Sequence, residues 1–238
     1  MIRVSVIVPC RNEERTVFAL LTRVARVDLS GMGVEKEILV VDDGSTDGSR
    51  GEVERFAGSR PDANVRLLTV NPGRGKGHAV RRALEAATGQ IALIQDADLE
   101  YDPADYPELL APIVAGRTRV VYGSRRLRSP MPMSGPLFAL GGLLENELLH
   151  LLYRTTVTDI ATGYKVLRMD LLRELALEAD GFEFCPEVTA KLLNRGETIA
   201  EVPVRYAPRK KRDGKKIRWP DFFAAVWTLL RVRFRKRA

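Results

Sequence analysis

Short apolar runs alternate with amphipathic segments through the first half of the chain. The apolar runs are rich in Val and Ile, as buried strands are. They are Val4–Val8, Glu37–Val41, Val65–Val70, Ile91–Gln95 and Arg119–Tyr122. Apolar residues recur at helical spacing between them, over Glu13–Arg26, Ser49–Ala57, His78–Ala87 and Pro103–Ala115. This alternation predicts an α/β protein with a mainly parallel sheet covered by helices on both faces.

The pattern changes after Tyr122. Pro130–Tyr153 is mainly apolar, and its longest clean stretch, Gly135–Leu144, stops at Glu145. That stretch is short of the roughly 20 residues that a membrane crossing requires, so we expect no membrane span. The remaining elements predicted are strands at Thr162–Leu167 and Thr198–Arg205, a helix at Pro186–Asn194 and a terminal helix from about Pro220.

Composition indicates a folded, intracellular protein with an uneven charge distribution. Of the 238 residues, 45% are hydrophobic and 29% charged, which excludes a largely disordered chain. The two cysteines, Cys10 and Cys185, fit a reduced compartment, and the N-terminus lacks the apolar core of a signal peptide. We therefore expect a cytoplasmic protein.

The basic residues are concentrated at the C-terminus. Residues 209–238 carry 12 basic and two acidic residues, a net charge of +10, whereas residues 1–208 carry 26 basic and 29 acidic residues, a net charge of −3. Such a segment is expected to bind a polyanion: nucleic acid, an anionic membrane surface or a phosphorylated substrate. Aromatic residues such as Trp219 and Trp227 lie among these cations, so the terminal helix fits either a membrane interface or packing on the body.

Carboxylates follow three of the predicted strands. Glu13 follows the first, Asp42 and Asp43 end the second, and Asp96 and Asp98 follow the fourth. A single Asp at such a place is typical of helix capping or turn formation. Two carboxylates directly after a buried strand need a counter-charge, and a hard divalent cation, Mg²⁺ or Mn²⁺, supplies it. Asp96 and Asp98 are therefore predicted metal ligands.

A glycine-rich segment, Asn71–His78, precedes the third predicted helix. Its glycines alternate with Arg74 and Lys76, and backbone N–H groups in such a loop can approach an anion closely. The spacing of a Walker A motif is absent. The segment is compatible with phosphate binding and equally with a plain turn.

Seven segments in order resemble one enzyme family over nearly the whole chain. They are Pro9 with Asn12-Glu13, Asp42-Asp43-Gly44-Ser45, Gly75-Lys76-Gly77, Asp96-Ala97-Asp98, Gly123-Ser124-Arg125, Asp159 with Thr162-Gly163-Tyr164-Lys165, and Gly181-Phe182-Glu183 with Pro186-Glu187. Together they resemble the family 2 glycosyltransferases with the Rossmann-like GT-A fold. The later segments, with Tyr206–Trp219, are similar to the branch that makes polyprenyl-phosphate (dolichyl-phosphate) mannose and glucose.

The resemblance implies the role of each matching position. Residues 1–208 would form the catalytic domain, and 209–238 a basic acceptor loop with an amphipathic, membrane-peripheral helix on the cytoplasmic face. The nucleotide-sugar pocket would comprise Pro9, Asn12, Glu13, Asp43, Lys76 and Asp96. The catalytic residues would be Asp96, Asp98, Arg125 and Lys165, with the metal on Asp96 and Asp98. The acceptor phosphate would meet Arg125, Arg209, Lys215 and Lys216.

Two positions depart from the family pattern. Arg11 stands where the family often has Tyr, and Glu100 where the mannosyltransferases often have Gln. These differences leave open whether the donor is a GDP- or UDP-sugar, and whether Glu100 reaches the metal.

The implied reaction is inverting transfer of a hexose, from a donor of the GDP-mannose or UDP-glucose type, to a polyprenyl monophosphate. A soluble hydroxyl acceptor is the alternative; it requires a carboxylate base, for which Asp159 is the candidate. A nucleic-acid-binding protein is a third reading of the basic tail. It leaves Asp42-Asp43 and Asp96-Ala97-Asp98 unexplained, so no nucleic-acid partner is expected.

Overall fold

The structure is a computed structural model that describes residues 1–128, 136–209 and 219–235, without the side chains of 136–139 and 219. Lys215 and Lys216 lie outside the described residues. The strands are β1 (Ile2–Cys10), β2 (Val34–Asp43), β3 (Val65–Val70), β4 (Ile91–Ile94), β5 (Val120–Ser124), β6 (Lys165–Arg168) and β7 (Ala200–Pro203). The helices are α1 (Val17–Arg26), α2 (Ser49–Ser59), α3 (Lys76–Ala86), α4 (Tyr106–Val114), α5 (Pro136–Tyr153), α6 (Met169–Glu174), α7 (Phe184–Asn194) and α8 (Trp219–Phe234).

One sheet contains all of these strands, in the order β3-β2-β1-β4-β6-β5-β7. Every neighbouring pair is parallel except those of β6, which runs antiparallel to β4 and β5. The predicted, mainly parallel α/β sheet is therefore confirmed. Because β6 is reversed, the residues that precede it lie at the same edge as the carboxyl ends of β1, β2, β4 and β5. That edge is where open α/β sheets bind ligands.

The sheet is buried on both faces, which explains the continuous apolar runs. Alternate residues point to opposite faces, so Ile7 joins one core cluster while Val6 and Val8 join the other. The first cluster includes residues of α3, α6, α7 and α8, and the second includes residues of α1, α2 and α4.

Some details differ from the sequence prediction. The strand expected at Thr162–Leu167 starts only at Lys165, because the three residues before it form the turn into the strand. Helix α6 was not predicted: it follows β6 without a loop and is only six residues long. Pro103 starts a short 3₁₀ turn, Pro103–Asp105, that leads into α4.

Helix α8 packs against the rest of the protein. Leu229 and Val232 are buried, the amide of Asn194 donates to the Val232 carbonyl at 2.9 Å, and the hydroxyl of Tyr153 donates to the Leu229 carbonyl at 2.9 Å. Part of the terminal helix is therefore core. The division at residues 208 and 209 stays a prediction. Within the described ranges, the helices are all too short or too polar to cross a bilayer.

Candidate active site

The loops after β1 and β2 are tied together by hydrogen bonds. The side-chain oxygen of Asn12 accepts from the backbone N–H of Thr46 at 2.8 Å. The backbone N–H of Asn12 donates to Ser45 Oγ at 3.0 Å. The N–H of Glu13 donates to Ser49 Oγ at 2.7 Å. Asn12 has a φ of 51°, a left-handed conformation that Asn tolerates better than most residues. Asn12 thus shapes the loop that positions Glu13, while Pro9 lies within β1.

Asp43 binds the glycine-rich segment to the end of β2 by two hydrogen bonds. Its two carboxylate oxygens accept from the backbone N–H groups of Arg74 and Gly75, both at 2.8 Å. A β-carbon on Gly73 would clash with the carbonyl oxygen of Asp43, so only glycine fits this approach. The N–H groups of Gly77 and His78 donate to residues 180–181. The amides at the start of α3 are therefore already bonded.

Asp96 follows β4 and pairs with Lys76 at the start of α3. Lys76 Nζ lies 2.5 Å from Asp96 Oδ1. Burial opposes the charged ammonium, but the Asp96 carboxylate outweighs it and raises the pKa of Lys76 above its ordinary value. A β-carbon on Gly163 would clash with Oδ2 of Asp96, so the loop before β6 closes directly over this carboxylate.

Three other carboxylates converge on Arg209. Its guanidinium lies 3.0 Å from Glu13 Oε2 and 2.6 Å from Asp98 Oδ2, and its backbone N–H donates to Glu100 Oε1 at 2.8 Å. We call Glu13, Asp98 and Glu100 the acidic cluster. Burial and the neighbouring Asp96 raise the pKa of Asp98 to about 7, against the opposing effect of Arg209. The cluster is built to hold a cation.

The residues present fit a divalent cation bound together with a substrate. No three or more His, Cys, Asp or Glu side chains are grouped as a metal site within residues 1–128, 136–209 and 219–235. Mg²⁺, however, is usually held by one or two carboxylates together with substrate phosphates. Asp96 and Asp98, with Glu100 beside them, supply the oxygen donors that Mg²⁺ and Mn²⁺ prefer.

A second charged pair lies at the end of β5. The guanidinium of Arg125 binds both carboxylate oxygens of Asp159 at 2.7 Å, and Asp159 is only 2% exposed. Burial alone would raise the pKa of Asp159, but the Arg125 charge lowers it below its ordinary value. Both oxygens of Asp159, the candidate base for a hydroxyl acceptor, are thus occupied by the Arg125 guanidinium.

Lys165 lies beneath this edge rather than on it. It is 1% exposed, and its ammonium donates to the carbonyls of Ile160 and Thr162 at 2.8 and 3.0 Å. It also lies 4.1 Å above the ring of Tyr122. Burial lowers the pKa of Lys165. Its ammonium is therefore enclosed by these groups, and its catalytic role stays a prediction.

The structure brings most of the predicted residues to one edge but in separate groups. Glu13, Asp98 and Arg209 are in direct contact, Asp96 pairs with Lys76, and Arg125 pairs with Asp159. Asp43 and Asn12 hold loops at the same edge. Sequence reasoning did not single out several buried polar residues, among them Glu145 of α5, which appeared in the sequence only as the end of an apolar run.

The mainly parallel sheet with acidic side chains at its carboxyl edge fits an α/β protein that binds a ligand at that edge. Residues 5–176 match the family described as glycosyl transferase family 2. The chain belongs to that family, and the predicted resemblance is confirmed.

Curated relatives share between a quarter and a third of their residues with this chain. A dolichol-phosphate mannosyltransferase of Pyrococcus furiosus is 26% identical over 90% of this chain and 59% of the relative. An undecaprenyl-phosphate mannosyltransferase of Micrococcus luteus is 29% identical over 90% and 87%, and a polyprenol monophosphomannose synthase of Mycolicibacterium smegmatis is 28% identical over 94% and 86%. The chain spans about three fifths of the length of the archaeal relative.

Solved structures confirm the fold. Glucosyl-3-phosphoglycerate synthase of Mycobacterium tuberculosis, in complex with Mn²⁺, UDP-glucose and phosphoglyceric acid, has a TM-score of 0.73 and is 23% identical. The match covers 98% of this chain and 80% of that one.

Proposed function

We propose that this enzyme transfers a hexose from a nucleotide sugar of the GDP-mannose or UDP-glucose type to a polyprenyl monophosphate, inverting the anomeric centre. The observation that carries the proposal is the convergence of the acidic cluster on Arg209. Arg209 begins the basic segment of the chain, so a cation-holding site and a cationic segment meet at the carboxyl edge of the sheet. The names of the archaeal and bacterial relatives support the acceptor class.

The residues can perform this transfer without a strong base. The second pKa of a phosphate monoester is about 6, so the acceptor is largely a dianion at pH 7 and attacks as it is. Asp96 and Asp98 would hold Mg²⁺ or Mn²⁺, which stabilises charge on the diphosphate leaving group. Arg125 and Lys165 add positive potential from the β5–β6 side. Arg209, Lys215 and Lys216 would hold the acceptor phosphate.

A soluble hydroxyl acceptor remains the alternative. It requires a free carboxylate within reach of the hydroxyl proton. Asp159 meets this requirement poorly, because both of its oxygens bind Arg125 at 2.7 Å. This commitment favours the phosphate acceptor.

An apolar surface supports a membrane location for the acceptor. Helices α5 and α8 expose large apolar side chains, namely Leu140, Leu143, Leu144, Leu151, Phe223, Trp227 and Phe234. Exposed patches of this kind mark protein or membrane contacts. Arg231 and Arg233 lie on the same helix as Trp227, Arg235 follows its last residue, and all three are exposed. An apolar face flanked by cations fits the surface of an anionic membrane.

The donor half of the proposal is tested by thermal unfolding with GDP-mannose, UDP-glucose, GDP and UDP, each with and without Mn²⁺. A ligand at 100 times its Kd stabilises the folded state by about 2.7 kcal/mol. We expect stabilisation by one nucleotide class and only when the metal is present. Absence of a shift with all four would contradict the proposed donor class.

The acceptor half is tested by comparing polyprenyl phosphate with the free polyprenol. We expect product only from the phosphate, and we expect Lys215→Ala combined with Lys216→Ala to raise the KM for that acceptor about tenfold or more. The KM for the nucleotide sugar should change less than twofold. Equal increases in both constants would contradict the acceptor role of the two lysines.

A further inference from the structure

Glu145 is a buried carboxylate that the proposed reaction does not use. It lies in the middle of α5, is 8% exposed, and makes no hydrogen bond or ion pair with any residue of the described ranges. An unpaired carboxylate in such a place costs folding free energy unless something satisfies it. Burial is the main reason that the pKa of Glu145 is raised to about 7.

The charged groups around Glu145 come from the two strand ends that flank the site. Lys165 and Asp159 act on it from β6 and the loop before it, and Arg125 and Arg126 from the end of β5. Lys165 is bound to two carbonyls and Arg125 to Asp159. Among the neighbouring cations, these two are therefore already engaged.

Arg126 is the remaining cation. Its Nε is buried and has no hydrogen-bond partner in the part of the chain that the structure describes. Its guanidinium reaches α5, where a β-carbon on Gly142 would lie 3.6 Å from Nη2. Gly142 and Glu145 are three residues apart and thus lie on the same face of the helix. Arg126, with its unsatisfied Nε, and Glu145, a carboxylate without a protein partner among the described residues, therefore both lie at this face of α5 without forming an ion pair with each other.

The chemistry of this pair selects its ligand. A guanidinium only donates hydrogen bonds, and an ionised carboxylate only accepts them. A hydroxyl group both donates and accepts, so one hydroxyl, or two on neighbouring carbons, satisfies both. A hydroxyl suits Glu145 in either protonation state, whereas a phosphate dianion would satisfy Arg126 but would be repelled whenever Glu145 is ionised.

We propose that Glu145 and Arg126 bind a hydroxyl group of a carbohydrate at the edge of the transfer site. The hydroxyl belongs to the hexose of the donor. The inference rests on the proposed nucleotide-sugar activity. It adds two residues that contact the sugar of the donor rather than its nucleotide.

Calorimetric titration with GDP-mannose, UDP-glucose, GDP and UDP, in the presence of Mn²⁺, tests the inference. Glu145→Leu removes the acceptor oxygens, Glu145→Gln keeps one, and Glu147→Gln is the control because Glu147 is on the same helix with a side chain 73% exposed. A hydrogen bond to a charged group is worth roughly a factor of 10 to 100 in affinity. We expect Glu145→Leu to weaken nucleotide-sugar binding by at least tenfold without changing nucleotide binding. Glu145→Gln should recover part of the loss.

The remaining outcomes are equally decisive. If Glu145→Leu binds the nucleotide sugars as Glu147→Gln does, or loses affinity for GDP or UDP to the same extent, the inference is wrong while the proposed function stands. If wild-type protein binds none of the four nucleotides, the proposed function itself is wrong.

Discussion

Asp98 is the single residue on which the acidic cluster depends most. It lies between Asp96 and Glu100 in sequence and contacts Arg209 at 2.6 Å. We predict that Asp98→Asn lowers the transfer rate at least 100-fold, because the amide cannot hold a divalent cation against the donor diphosphate. Product formation at saturating donor, with and without excess chelator, measures the effect.

Asp102→Asn provides the matched control for this prediction. Asp102 lies in the same loop and caps the turn at Ala104, which Asn can also do. We expect near-normal transfer from this variant. Full activity of Asp98→Asn, or of the wild-type protein in excess chelator, would show that the metal assignment is wrong.

The Arg125–Asp159 pair is predicted to matter for stability as well as for the site. Asp159→Asn leaves a buried guanidinium without its counter-charge, which typically costs about 3 to 5 kcal/mol. The pKa of Asp159 is lower in the folded than in the unfolded protein. Its ionised form therefore contributes to the free energy of unfolding above the unfolded pKa of about 4. That contribution is lost as the pH falls through the folded pKa. Urea unfolding at pH 7 and at a pH well below 4 should show a difference in unfolding free energy between variant and wild type that narrows in acid.

The exposed pair Arg60–Asp62 provides the comparison. Asp62→Asn should leave the urea midpoint unchanged at both pH values, because exposed ion pairs contribute little. A similarly small effect from Asp159→Asn would mean that Arg125 finds another partner.

Helices and strands with a clear apolar periodicity could be predicted from the sequence. Short elements, and features that depend on which strands pair in the sheet, could not. The run Val65–Val70 became β3 with the same bounds, because an apolar run of that length bounded by polar residues has few alternatives. Helix α6 was missed since six residues give too short a period to detect. The reversal of β6 depends on which strands it lies between, and no local pattern carries that information.

The candidate site was predictable to a similar extent. The place of Asp96 and Asp98 at the carboxyl edge of the sheet followed from the buried strand before them, and their role as metal ligands stays a prediction. The contact of Arg209 with Glu13 joins residues almost 200 positions apart, and only the fold creates it. Glu145 gave no signal, because one acid in an apolar helix is also what a solvent-facing position looks like.

The buried carboxyl of Glu145 in α5 is predicted to make the stability of the protein depend on pH. Its folded pKa of about 7 lies above the unfolded value near 4.3, so the wild-type protein loses stability as the pH rises between these values and not above them. Relative to wild type, Glu145→Gln should therefore gain about 3 kcal/mol between pH 4 and pH 8. Urea unfolding across this range, with Glu147→Gln as the control, measures the gain. If the difference in unfolding free energy between Glu145→Gln and wild type did not change with pH, Glu145 would not be a buried carboxyl without a partner.

The charge of the whole molecule is distributed so that one region can bind an anionic surface. Residues 1–208 are mildly acidic while residues 209–238 carry a net charge of +10. The exposed apolar side chains of α5 and α8 add an attraction that does not depend on salt. Membrane binding should therefore combine an electrostatic part, screened over about 8 Å at physiological ionic strength, with an apolar part that persists.

Vesicle sedimentation separates the two parts. We predict that Arg233→Glu weakens binding to vesicles of anionic lipid about 30-fold at low salt, since each unit of charge near such a surface contributes about 1 kcal/mol and the substitution changes the charge by two units. The effect should disappear in 1 M salt, and Arg82→Glu on α3 should have little effect under either condition. Phe223→Ser with Trp227→Ser should weaken binding at both salt concentrations, because these side chains are 65% and 67% exposed and removing them leaves the core intact. Equal losses from Arg82→Glu and Arg233→Glu would mean that net charge alone, rather than this surface, attracts the protein to lipid.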